Sequence, residues 1–149
     1  MTVRLYDRDV DMLEFSAVVK TCEQREKGYI VTLDQTAFFP EGGGQGADHG
    51  TLGGANVLDV QEDETGDIYH VTAAPLEGSV HGALDWTRRF SNMQQHGGQH
   101  LISWAVHKYL GGYTFGLHTG AQECTIDTDL KEVPSRETLD MLENAVNGL

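Results

Sequence analysis

Along the first 85 residues, apolar and polar positions alternate in short runs, each closed by turn-forming residues. Leu13 to Thr21 and Tyr29 to Leu33 carry β-branched residues at a period of two, with Glu26-Lys27-Gly28 between them as a hairpin turn. Thr51 to Val60, Ile68 to Thr72 and Ser79 to Asp85 continue the pattern, separated by Asp63-Glu64-Thr65-Gly66-Asp67 and Pro75-Leu76-Glu77-Gly78. Several short strands at this spacing predict a small antiparallel barrel. Near Trp86 the period changes. Met93, Leu101, Trp104, Ala105 and Tyr109 recur at helical intervals across Asn92 to Leu110, and Gly111-Gly112 supplies the stop. Tyr113 to Asp129 reads as strand again. A last helix is expected after Pro134 and Ser135, with Glu137 in its first turn and Leu139, Leu142 and Val146 on one face. The pattern predicts an α+β chain in two parts, a β-barrel domain over residues 1–87 and an alpha/beta part over 88–149.

Composition narrows the class. A chain of 149 residues with 39% hydrophobic content can bury a core without staples. No run of about 18 apolar residues exists, and Arg4, Asp7, Arg8 and Asp9 stand where a signal peptide would need an apolar stretch, so a cytoplasmic protein without a membrane segment is expected. Cys22 and Cys124 form no C-x-x-C spacing and read as reduced thiols. The formal net charge of −13 argues against wrapping nucleic acid on a basic face. That charge is uneven. Residues 71–112 hold three Lys/Arg against two Asp/Glu, with four of the seven histidines, while both flanks are acidic. An anionic substrate would have to approach this middle third.

Three clusters carry candidate chemistry. In His96-Gly97-Gly98-Gln99-His100 the two histidines stand four apart, one turn along one helix face, where they can share a metal ion or remain two solvated imidazoles. The zinc-peptidase motif needs Glu directly after the first His, and Gly97 excludes it. His107 lies too far along a straight helix to join the same ion. In Thr36-Ala37-Phe38-Phe39-Pro40-Glu41-Gly42-Gly43-Gly44-Gln45, three glycines permit close backbone approach and Gln45 ends the loop with an amide; the alternative is a flexible hairpin. In Asp85-Trp86-Thr87-Arg88-Arg89-Phe90, just before the expected helix, the arginines and an aromatic could meet a nucleic-acid backbone or terminal base, or mark a domain junction held by Trp86 packing and a surface ion pair.

In this order the three clusters resemble the AlaX-type alanyl-tRNA editing proteins, related to the editing domain of alanyl-tRNA synthetase. The resemblance rests on Thr36 to Gln45, Asp85 to Arg89, and Met93, His96, His100, Leu101, Ile102 and Ser103. It implies that residues 88–149 begin an editing domain of the threonyl/alanyl-tRNA synthetase type. It also implies hydrolysis of the ester joining serine or glycine to alanine tRNA, with that misacylated tRNA as partner. His96 and His100 would be ligands of Zn²⁺, Gln45 and Thr36 would approach the aminoacyl group, and Gly42, Gly43, Gly44, Arg88 and Arg89 would contact substrate. The family completes its metal site with a downstream Cys-x-x-x-His segment. Cys124 is followed by Thr125-Ile126-Asp127-Thr128, so an incomplete zinc site and weak activity are expected of this chain, and the alternative is a tRNA-binding or regulatory module without catalysis.

Overall fold

The computed structural model describes residues 1–120 and 123–149. The chain divides into two compact units, one of residues 1–42 and 46–90, the other of residues 43–45 and 91–149. The first begins with β1 (Val3–Arg4), which pairs in parallel with β4 (Gln35–Thr36). Six further strands follow the predicted alternation: β2 (Glu14–Arg25), β3 (Gly28–Leu33), β5 (Gly50–Leu52), β6 (Ala55–Glu62), β7 (Ile68–Thr72) and β8 (Ser79–Leu84). They close into an antiparallel barrel in the order β2-β3-β7-β6-β5-β8. Val31, Leu33, Leu52, Val60 and Ile68 point inward with Phe38 and are fully buried. The stretch Thr51 to Val60, expected as one strand, is a hairpin. Gly53 and Gly54, at φ of 56° and 83°, reverse the chain as only successive left-handed residues do readily.

His70 lies inside this barrel and is completely buried. Its Nδ1 stands 3.2 Å from the Val31 carbonyl and its Nε2 2.8 Å from the Thr36 hydroxyl. Nδ1–H therefore donates to the carbonyl, and Nε2 accepts from Thr36, whose oxygen in turn accepts the Phe38 N–H at 3.1 Å. Burial pushes the imidazole down to about 4, against a smaller opposing effect of the Val31 carbonyl. The unfolded chain binds this proton from about pH 6.5 downward and the folded one only near pH 4. His70 thus leaves stability whole above pH 6.5 and removes about 3 kcal/mol as pH falls through that window. Thermal melts between pH 7 and 4.5 should show a falling midpoint whose slope His70→Asn reduces; equal slopes would contradict this.

In the second unit α1 (Trp86–Ala105) runs from Ser91 into a π-helical turn, Val106–Leu110, ended by Gly111 at φ 69°. The helix starts at Trp86 rather than Asn92. Asp85 caps it, accepting the Arg88 N–H on its carboxylate at 3.2 Å and the Arg89 N–H on its carbonyl at 3.0 Å, so the Asp85 to Phe90 cluster forms the first turn. The strand-like stretch 113–129 is an antiparallel pair, β9 (Thr114–Thr119) and β10 (Cys124–Thr128); positions 121 and 122 lie outside the described residues. α2 (Arg136–Asn147) begins at Ser135, whose hydroxyl accepts the Thr138 N–H at 3.2 Å. Ala105, Val106 and Leu142 form a small core with Leu110, Leu130 and Val146. Among the described residues no helix is long and apolar enough to cross a membrane.

Candidate active site

The two histidines of α1 meet as their spacing requires. His96 Nε2 and His100 Nε2 lie 3.0 Å apart on an exposed helix face. Two neutral imidazoles in this position share one hydrogen bond. The same convergence suits a metal, because two nitrogens at ~2.0–2.1 Å from a tetrahedral ion stand about 3.3 Å apart. The pair therefore fits two positions of a zinc shell. Among the described residues no third His, Cys, Asp or Glu joins it. His107 is occupied elsewhere, its ring 4.7 Å from that of Tyr113. At Gly97 and Gly98 a Cβ would meet nothing within 4 Å, so packing is not what demands glycine there.

Beside His96 the second unit holds a pocket of about 260 Å³, lined by Gly43, His96, Gln99, Thr114, Phe115, Gly116 and Leu117. Gly43 reaches it through the glycine hairpin. Gly43 and Gly44, at φ of 60° and 84°, make a tight turn, and the Gly44 carbonyl accepts both the N–H and the hydroxyl of Thr119 at 2.9 Å. A Cβ on Gly44 would lie 1.7 Å from the Leu117 carbonyl oxygen, so only glycine permits this docking. Gln45 belongs to the same unit and is half-buried, without lining the pocket. Behind His96, Ser103 Oγ accepts from Gln99 Nε2 at 2.7 Å and from the Thr114 hydroxyl at 2.8 Å. Thr114 Oγ1 is left as an acceptor, and so is Gln99 Oε1. Sequence reasoning gave Gln99, Ser103 and Thr114 no role in the site. The first two were within reach of it, since His96, Gln99, His100 and Ser103 follow the i, i+3, i+4, i+7 spacing of one helix face. A larger groove of about 490 Å³, walled by residues such as Ile102, Val106, Leu130 and Leu139, holds no such polar cluster.

Thr36, Arg88 and Arg89 belong to the first unit, and so does Gly42. Thr36 is enclosed, its hydroxyl engaged with His70 and Phe38. Arg89 is 5% exposed. Its Nε and Nη2 bond the Asp48 carboxylate at 2.6–3.2 Å, Nη2 also reaches the Ala37 carbonyl at 2.6 Å, and Nη1 reaches that of Val10 at 2.6 Å. Asp48 further accepts the Phe39 N–H at 2.7 Å and donates its own N–H to the Phe39 carbonyl at 3.0 Å. Arg88 Nε donates to the Ala47 carbonyl at 2.6 Å. Of the two readings of this cluster, Arg89 forms the ion pair, and the pair is buried rather than superficial. Together the arginines bind both limbs of the glycine-rich loop, Ala37–Phe39 going out and Ala47–Asp48 returning.

The chain resembles known proteins along almost its whole length. It is 40% identical over 153 residues to the alanyl-tRNA editing protein Aarsd1 of Danio rerio, covering 94% of this chain and 37% of that protein. It is 35% identical over 158 residues to the Rattus norvegicus protein of the same name, covering 96% and 38%. It is 36% identical over 155 residues to the alanine–tRNA ligase of Haloquadratum walsbyi, covering 99% of this chain and 17% of the ligase. The chain thus spans little more than a third of the editing proteins and about a sixth of the ligase. No protein-family model matches it.

Proposed function

We propose that this chain, related in sequence to alanyl-tRNA editing proteins and alanine–tRNA ligases, takes part in hydrolysing the ester that joins serine or glycine to alanine tRNA. The observation that carries the reading is the pair of imidazole nitrogens 3.0 Å apart, one imidazole lining a pocket of about 260 Å³. That space suits an aminoacyl group. His96 and His100 would hold Zn²⁺, which supplies polarisation of an ester carbonyl and a more acidic water. The chain's own residues do the rest. Gly43 closes one wall, and the Gln45 amide, outside the pocket lining beside the docked Gly44, would have to turn toward the ester to meet its developing charge. Gln99 Oε1 and Thr114 Oγ1 accept from the substrate's ammonium or from a serine hydroxyl. An acceptor that a serine hydroxyl pairs and an alanine methyl leaves unpaired favours the seryl over the alanyl ester. Thr36 acts at one remove, fixing Phe38 at the start of the loop, and Arg88 and Arg89 hold the loop's limbs.

The rival reading is a tRNA-binding module without chemistry, favoured by the absence of a third ligating side chain among the described residues. Calorimetric zinc titration addresses the ligand assignment. Two imidazoles give weak 1:1 binding that His96→Ala removes, with the melting midpoint unchanged because His96 is exposed. Seryl-tRNA hydrolysis at saturating zinc should fall roughly a hundredfold in the same variant. Zinc binding or hydrolysis that survives His96→Ala would remove the histidine pair from the mechanism.

A further inference from the structure

Phe115 and Tyr113 are the two most exposed aromatic side chains among the described residues, at 75% and 63%. Phe115 stands near the start of β9, where the register against β10 shifts and leaves it at a bulge, and Tyr113 directly precedes the strand. Tyr113 is propped by the His107 ring at 4.7 Å. Phe115 lines the pocket that His96, Gln99 and Thr114 also line. An exposed ring at the rim of a polar pocket costs solvation free energy and points to an apolar flat ligand part.

We propose that Phe115 is the stacking platform for the terminal base of the RNA whose aminoacyl ester enters this pocket. The inference rests on the deacylase reading for the identity of the ester and adds the nucleobase subsite. The bond order of the substrate carries it: an aminoacyl ester is attached to the terminal ribose, so a base must lie beside whatever pocket holds the amino acid. Charge points the same way. The unit of residues 43–45 and 91–149 holds three Lys/Arg against seven Asp/Glu, so phosphate neutralisation is a poor source of affinity on it. Stacking needs no cation and accepts any base face. Adenosine contacts made in this way tolerate the acidic surface that would repel a longer stretch of backbone.

The test uses an RNA minihelix ending in CCA with 2-aminopurine as its last base, titrated with the full chain. Stacking on Phe115 quenches the 2-aminopurine emission, and the quench changes little between 50 and 200 mM salt. Phe115→Ala should abolish most of the quench and weaken binding roughly tenfold, while Phe115→Trp retains both. The ring is exposed, so the melting midpoint of Phe115→Ala should match the unsubstituted chain. No quench with the unsubstituted chain, or an equal quench with Phe115→Ala, overturns the proposal. Seryl-tRNA hydrolysis on the same samples separates the two claims: a Phe115-dependent quench without hydrolysis sinks the deacylase reading alone, and hydrolysis indifferent to Phe115→Ala with an unchanged quench sinks the stacking site alone.

Discussion

Asp48→Ala is expected to destabilise the barrel unit by about 3–5 kcal/mol, because it strands a guanidinium in a place with no water to receive it. Both partners are almost wholly enclosed, with side-chain exposures of 6% for Arg89 and 2% for Asp48. The substitution also removes the acceptor of the Phe39 N–H, a part-buried backbone donor at the neck of the glycine loop. A fall of roughly 10 °C or more in melting midpoint corresponds to this loss. Replacing both partners by apolar residues, as Asp48→Leu with Arg89→Met, should recover part of it, since the stranded charge is then gone. A drop below about 1 kcal/mol for Asp48→Ala would mean that water reaches the pair.

Gly44→Ala should cost much of the activity at small cost in stability. The added Cβ would sit 1.7 Å from the Leu117 carbonyl oxygen, and φ of 84° is strained for any L side chain. The hairpin must then leave β9, which breaks both Thr119 bonds to the Gly44 carbonyl and withdraws Gly43 from the pocket. Displacement of a positioning group by about 1 Å costs on the order of a hundredfold in rate. Gly42→Ala is the matched control, since its Cβ meets nothing within 4 Å and its φ is not positive. Faster amide exchange at Thr119 in Gly44→Ala, with hydrolysis lost, and neither change in Gly42→Ala, is the expected pattern. Equal hydrolysis in the two variants would show that the docked hairpin is not part of the site.

The barrel was legible because a closed antiparallel sheet imposes a period of two on every strand, and the chain obeys it from Glu14 to Leu84. Its one misreading, the Gly53-Gly54 hairpin, arose because alternation continues unbroken on both sides of the turn. The histidine helix was legible from its period, but its start was not: Trp86 to Phe90 is mixed in polarity because it belongs to the barrel unit, and Asp85 was not read as a cap. The pairing of His96 with His100 follows from helix geometry alone. The burial of Arg89 does not. Adjacent arginines signal solvent or phosphate in a sequence, and only the distant Asp48, Ala37 and Val10 reveal that one is an internal clamp. Thr36 is similar, since its partner His70 arrives from another strand. Thr114 reaches Ser103 across a strand–helix contact that no local pattern encodes.

The central claim is that the pocket beside the histidine pair breaks an ester instead of merely holding it, and the lifetime of that ester distinguishes the two. Seryl-tRNA for alanine should be incubated at neutral pH with excess chain and saturating zinc, and the surviving acylated fraction followed against RNA alone. The account predicts a shortened half-life for seryl-tRNA, little change for alanyl-tRNA, and return to the uncatalysed rate with His96→Ala. A half-life for seryl-tRNA that is unchanged, or lengthened as a bound ester shielded from water would be, contradicts it and makes the chain a binding module.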